Sequence, residues 1–359
     1  MNEVFSRIPA SELNEVYLFH KKYTGEKRSN YVWDWQYGAT NPFPSVLVGG
    51  KISNVLIATQ GMFAINLRTS DGIELTGKNE SLLVDESLRM TGLSKKLYDF
   101  ALQEYHKEKI TCLWGFSRKA IIPLQRAGFR VYFNVIQRSI ISLDLLNVIN
   151  LVRNKKQPAY KKIAGILTSV MATISSKVLL KYAVLKIKNA EGTSGSFTDS
   201  LQNKNDLLAL FEKIREKYPE LIHINQDYEY YNWRILLSPL KIKKRFLYVD
   251  NELVGYFYLT YHERYTEVTD LTFIQDAHGH ALIREIIDII KNENLRMLYY
   301  NFNSANELNL YVDSFLRKIG FFSTKGPNHF VLRNFTHSEG DAFFNIEDWY
   351  INNLWNEGI

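Results

Sequence analysis

Val84-Asp-Glu-Ser-Leu-Arg89-Met-Thr-Gly92-Leu-Ser94-Lys-Lys-Leu97 decides how this chain is read. An apolar strand over 81–84 runs through an Arg/Gly turn into an amphipathic helix. A helix start leaves its first amides without intrahelical acceptors, and here those amides span Arg89 to Lys95. Gly92 and Ser94 keep bulk away from them. With the positive end of the helix dipole behind it, this turn is a place to hold a pyrophosphate. Leu83 and Val84 at the strand end, with Met90, Thr91 and Leu93 in the turn, complete the predicted cradle.

A second segment follows at a fixed distance. Thr111-Cys-Leu-Trp-Gly-Phe116 reads as a buried strand, succeeded by Ser117-x-x-Ala120-Ile121-x-x-Leu124-x-Arg126-x-Gly128-Phe129. The two motifs resemble the Arg/Gln-x-x-Gly-x-Gly/Ala loop and the Asn-x-x-Ala-x-x-x-Tyr-x-Lys-x-Gly-Phe segment of the GNAT acetyltransferases. Trp33-Asp-Trp35 and Asn41-Pro42, ahead of a hairpin expected to turn at Gly49-Gly50, are similar to the front end of GNAT-like proteins associated with bacterial surface polysaccharides. Phe343-Phe344-Asn345-Ile346-Glu347-Asp348-Trp349-Tyr350 resembles their closing Asp-Trp-Tyr/Phe stretch, whose aromatics either stack on a sugar face or, as the preferred reading, seal the second domain. There are two departures: Ser117 stands where Asn is common, and Leu124 takes the place of a tyrosine that often protonates the departing thiolate. Of the nearest tyrosines, Tyr98 is expected in the core, and Tyr132 is the other.

The second half repeats the first. Tyr231-Asn-Trp233 and Pro239 mirror Trp33 and Pro42, Leu247-Tyr-Val-Asp-Asn251-Glu-Leu-Val mirrors Leu47-Val-Gly-Gly50-Lys-Ile, and Gly320-Phe321 mirrors Gly128-Phe129. The reading is an α/β chain of two tandem GNAT-like mixed-sheet units over 1–143 and 196–359, joined by a basic helical connector over 144–195. Only the first unit keeps the loop. In Asp270-Leu-Thr-Phe-Ile-Gln275-Asp-Ala-His-Gly279-His the acid Asp276 falls where phosphates would lie. His278 and His280 read as part of a solvated turn, and no metal is expected.

A length of 359 residues suits two domains, and 46% hydrophobic with 14% aromatic residues suits a folded chain. The lone Cys112, in an apolar strand, makes no internal disulfide, is a poor nucleophile there, and points to a reducing, cytoplasmic setting. Neither a secretory signal at the N-terminus nor a membrane-spanning helix is expected; the longest uncharged candidate, 163–176, is too short. Residues 145–190 hold nine Lys/Arg and no acid, so removing them from the chain's +6 leaves the remainder at −3. With Ile163, Ile166, Leu167, Val170 and Ile174 at helical spacing, this stretch reads as basic amphipathic helix. Three roles stay open for it: a connector packing its apolar stripe between the units, a peripheral contact with anionic lipid at the inner membrane face, or a cradle for an anionic acceptor. Nucleic acid is disfavoured because the basic run lacks interleaved aromatics.

The resemblance implies acyl transfer from acetyl-CoA to a small-molecule amine, such as a nucleotide- or lipid-linked aminosugar, with Arg89, Gly92, Ser94, Lys95 and Ser117 among the cofactor contacts. An alkylammonium of pKa near 10.4 must lose a proton, so a carboxylate is sought. Glu80 and Asp85 are the catalytic candidates, with Glu86 a further loop acid. On a regular strand Glu80 and Asp85 face opposite ways. Alternatives are a Fem-type aminoacyl transferase and a non-enzymatic assembly or membrane-surface factor.

Overall fold

The computed structural model describes residues 3–25, 29–143, 195–335 and 342–355, together with helical residues among 170–182. The first half contains β1 (Val4–Arg7), α1 (Leu13–Thr24), α2 (Asn30–Tyr37), β2 (Ser45–Ile52), β3 (Val55–Thr69), β4 (Gly72–Val84), α3 (Leu93–Lys107), β5 (Cys112–Ser117), α4 (Ile121–Arg126), β6 (Arg130–Tyr132) and β7 (Ile136–Ser142). The second half contains β8 (Ser196–Thr198), α5 (Asp206–Lys217), β9 (His223–Ile224), β10 (Lys241–Val249), β11 (Glu252–Tyr261), β12 (Thr266–Phe273), α6 (Asp276–Asn292), β13 (Met297–Asn303), α7 (Glu307–Lys318), β14 (Phe322–Lys325) and β15 (His329–Asn334).

The strands form two mixed sheets that exchange their last members. One runs β1-β2-β3-β4-β5-β15-β6, with β9 beside β3; the other runs β14-β7-β13-β12-β11-β10-β8. The expected boundary at residue 143 therefore falls just after a strand that belongs to the second sheet. β15 inserts between β5 and β6, with Val331 opposite both Gly115 and Val131.

The hairpin register differs from the sequence reading. Gly49 and Gly50 lie inside β2, where a Cβ on Gly49 would meet Ile8 at 2.8 Å and one on Gly50 would meet Phe5 at 3.0 Å. The turn is Ser53-Asn54, both at positive φ (48° and 62°), as Asp250-Asn251 are (51° and 63°). Two consecutive positive φ values define the turn that matches strand twist, and Asn and Asp tolerate them. The tryptophan correspondence shifts likewise. Trp35, not Trp33, partners Trp233: the rings stack at 5.1 Å, and each Nε1 donates to the other residue's carbonyl, at 3.1 and 3.0 Å. The Gly-Phe pairs do correspond. Gly128 (φ 82°) and Gly320 (φ 102°) end their helices, with Phe129 N donating to Leu124 O and Phe321 N to Leu316 O.

α3 buries Leu93, Leu97, Tyr98, Ala101 and Tyr105, a spacing of one helix face, against the first sheet. The other face of that sheet carries α1 and α2 through Leu13, Val16, Phe19, Trp33 and Tyr37. In the second sheet the side chains alternate. Leu247, Phe257 and Leu259 pack under α6 and α7, whereas Phe246, Tyr256 and Tyr258 point into the core shared with the first sheet. Among the described residues no helix is long and apolar enough to cross a membrane. Of the connector stripe, Ile163, Ile166 and Leu167 lie outside the described residues.

Candidate active site

β4 and β5 run parallel but pair only at Gly77/Leu113 and Lys78/Trp114. Beyond that point the strands part, and 80–84 with Phe116 and Ser117 line the opening in a half-buried state. The neighbouring ladder is interrupted at the same level: Gly61 faces Glu80 and Thr59 faces Leu83, so two residues of β4 oppose Gln60. Ser81 takes positive φ (59°) in this bulge, which frees one residue from the ladder and changes the strand's parity. Glu80, Leu83 and Asp85 consequently share a face, correcting the expectation that Glu80 and Asp85 point opposite ways.

On that face Glu80 accepts from Tyr37 Oη at 2.9 Å and from Lys78 Nζ at 3.2 Å. The Glu80 side chain is 14% exposed and that of Lys78 5%. Burial and the neighbouring Glu80 charge raise the Tyr37 pKa well above the usual phenol range, so Tyr37 stays a donor. Gly61 makes the contact fit, since a Cβ there would lie 2.1 Å from Tyr37 Oη. Asn79 points the other way and donates to Tyr98 Oη at 3.1 Å. Gln60 Nε2 spans the bulge to Asn79 Oδ1 at 2.8 Å and Glu80 O at 3.0 Å. Tyr98 is fully buried and its pKa is raised by that burial, whereas Tyr132 donates to Phe344 O at 2.8 Å. Leu124 is a core residue.

Asp85 occupies a different position. It accepts from Tyr23 Oη and from the amide and hydroxyl of Ser87, bonds that hold its pKa below the ordinary carboxylate value. A carboxylate so engaged is a weaker base than a free one. It caps the single turn Glu86–Leu88 that leads into the loop.

Along the loop, Arg89 Nε donates to Val84 O at 3.3 Å and its guanidinium meets Glu86 at 3.3 Å. Met90 (φ 68°) and Gly92 (φ 87°) turn the chain into α3. Lys95 N and Lys96 N fold back onto Gly92 O. Among the described residues, the intervening amides of Met90, Thr91, Gly92, Leu93 and Ser94 donate to no acceptor within the chain. Five successive donors at a helix N-terminus form a concavity suited to an anion. Lys95 is exposed and pairs with Asp99 at 2.6 Å. Ser117 Oγ accepts from Ala120 N at 3.1 Å, so this hydroxyl shapes the turn into α4 at the rim of the opening.

The second sheet has the same opening, filled from within. β12 and β13 pair only at Thr266/Leu298 and Glu267/Tyr299, and the segment 349–355 lies between them. Leu354 N donates to Thr269 O at 2.9 Å, Asn353 Nδ2 to Val268 O at 2.9 Å and Tyr299 O at 3.3 Å, and Asn303 N to Ile351 O at 3.3 Å. Asp270 faces Tyr258 as Glu80 faces Gly61, each partner lying seven residues beyond its turn. Here the carboxylate is fully buried under Tyr256, Gln226, Tyr350 and Asn352, and burial raises its pKa. Trp349 and Tyr350 are thus interior residues bridging the units. His278 and His280 are not on a solvated turn: both lie in the first turns of α6, where His278 is buried and His280 packs on Phe315. Among the described residues no cluster of three His, Cys, Asp or Glu is placed to hold a metal.

Lys78 was legible as an i, i+2 neighbour of Glu80 on one strand face. Nothing near Tyr37, Gln60 or Tyr23 in sequence signals their arrival at the bulge and loop.

No protein-family model matches this chain, and no curated protein does either. Solved structures do. A tandem GNAT protein from the clavulanic acid biosynthesis pathway aligns with TM-score 0.56 at 11% identity, over 93% of this chain and 98% of that one. The GCN5-related N-acetyltransferase of Kribbella flavida aligns with TM-score 0.61 at 9% identity, over 96% and 74% of the two chains. N-myristoyltransferase of Saccharomyces cerevisiae, solved with bound myristoyl-CoA, gives TM-score 0.59 at 12% identity, over 94% and 83%. The chain has a tandem GNAT-like fold.

Proposed function

We propose that this chain is an acyl-CoA-dependent N-acyltransferase with one working site, in the β4/β5 opening of its first unit. The observation that carries the reading is the contrast between the two openings: one ends on five amides without intrachain acceptors, the other is filled by 349–355. Neighbours of the same fold include N-acetyltransferases and an enzyme holding myristoyl-CoA, so a CoA thioester is the donor, with acetyl-CoA the first choice.

The loop amides and Arg89 hold the pyrophosphate, with Leu83, Val84, Lys95 and Ser117 along the cofactor path. The thioester carbonyl lies by the bulge at Ser81, where β4 departs from its regular register with β3. The amine enters on the Glu80 face. Glu80 attracts its ammonium form and takes the proton directly or through one water, while Lys78 and Tyr37 fix the carboxylate's orientation. Amine nitrogen bonds to the acyl carbon, the C–S bond breaks, and the second proton lost by that nitrogen passes through water to the thiolate, whose pKa near 8.5 makes it a tolerable leaving group. The resemblance of Trp33-Asp-Trp35 and Asp348-Trp349-Tyr350 to polysaccharide-associated proteins favours an aminosugar acceptor, and the lone buried Cys112 favours a reducing, cytoplasmic setting.

Calorimetric titration of acetyl-CoA and CoA into the protein and into an Arg89→Glu/Gly92→Glu variant tests this. Saturable binding abolished in the variant supports it. No binding of either ligand at millimolar concentration overturns it.

A further inference from the structure

The described residues among 170–182 are helical, and four of their apolar side chains face outward. Met171, Ile174, Val178 and Tyr182 are 64%, 50%, 60% and 60% exposed. At a helical spacing of 3.6 residues per turn these four positions fall within an arc of roughly 80°. Thr173, roughly 145° from the stripe's centre on the same helical geometry, is buried, and its hydroxyl donates to Ser142 Oγ at 3.5 Å, which fixes the side turned to the protein. Lys177 and Lys181 are exposed along one flank of the stripe. Ile174 therefore does not pack between the units, as a plain connector would require.

We infer that this stripe is a docking surface for an anionic bilayer. Charge selects the occupant. The stripe sits inside 145–190, which holds nine Lys/Arg and no acid, while the rest of the chain sums to −3. A second copy of the chain docked face to face would bring two such basic segments together. A nucleic acid would neutralise the lysines but leave Met171, Ile174 and Val178 in water. An anionic membrane surface takes both, apolar side chains at the acyl boundary and lysines among the headgroups.

The test is vesicle sedimentation of the full chain, with phosphatidylcholine alone or mixed with phosphatidylglycerol. Two variants accompany it: Met171→Ser/Ile174→Ser/Val178→Ser and Lys177→Glu/Lys181→Glu, all at exposed positions, with circular dichroism confirming that the fold is kept. The wild-type chain is expected to sediment with the mixed vesicles only and to be released by salt. Each variant is expected to bind about tenfold more weakly or worse. Absence of sedimentation with the mixed vesicles, or undiminished binding by the serine variant, overturns the inference. So does a dimer in gel filtration that the serine variant splits without vesicles, which would assign the stripe to self-association.

Discussion

Glu80 and Asp270 hold the same place in two copies of one strand arrangement and have opposite surroundings. Glu80 meets Lys78 and Tyr37 at the edge of an opening, and Asp270 lies under the chain's own Tyr350 and Asn352. On the proposed mechanism, Glu80→Gln lowers kcat about 10²- to 10⁴-fold while CoA affinity, read by calorimetry, is unchanged. Gly61→Ala acts on the chemistry through Tyr37. The added Cβ collides with Tyr37 Oη, so its kcat should fall to that of Tyr37→Phe, and combining the two should cost little more than either alone. His223 reports on stability. Burial against Phe211 drops its pKa to about 3 from an ordinary 6.5. The unfolded chain therefore binds a proton below pH 6.5 that the folded chain refuses. Stability attributable to this residue is complete above pH 6.5 and declines by about 1.4 kcal/mol per pH unit as pH falls toward 3. Urea titrations at stepped pH should show a shallower decline for His223→Phe.

The two hairpins show how elements take their register. Ser53-Asn54 and Asp250-Asn251 both sit in the left-handed region, and the strand pairings counted from these turns place Glu80 opposite Gly61 and Asp270 opposite Tyr258. Asn54→Gly relieves the left-handed cost without moving the turn, so a gain of about 0.5 kcal/mol in urea denaturation is expected. The loop before α3 obeys the same conformational rule with a different outcome. Gly92 at φ 87° has open space around the position of a Cβ, so Gly92→Ala should cost about 1 kcal/mol through backbone strain alone. A larger loss of CoA affinity than of stability would locate the ligand against that backbone.

At the scale of the molecule, the halves are interleaved. β7 completes the second sheet, β15 completes the first, and Trp349 and Trp355 join Trp114 in the shared core. Far-ultraviolet dichroism and tryptophan fluorescence should therefore report one coincident unfolding transition rather than two. Trp233→Ala removes a ring and a reciprocal hydrogen-bonded pair from that core, at a cost of about 3–5 kcal/mol measured by urea unfolding.

What the sequence determined by itself was local or repetitive: the strand–turn–helix from 81 to 97, the buried strand at 111–116 and the Gly-Phe helix ends follow from short-range patterning, and the two-fold repetition from matching one half of the chain to the other. Gly49-Gly50 lies within a strand and does not form the turn, because glycine serves a packed strand as well as a turn, and only the side chains of Phe5 and Ile8 distinguish the two. The bulge that places Glu80, Leu83 and Asp85 on one face depends on how β4 pairs with β3, the stacking of Trp35 on Trp233 on contact across 198 residues, and the filling of the second opening on the return of 349–355. These were settled by tertiary structure because hydrogen bonds and packing between segments distant in the chain leave no period in the sequence from which to read them.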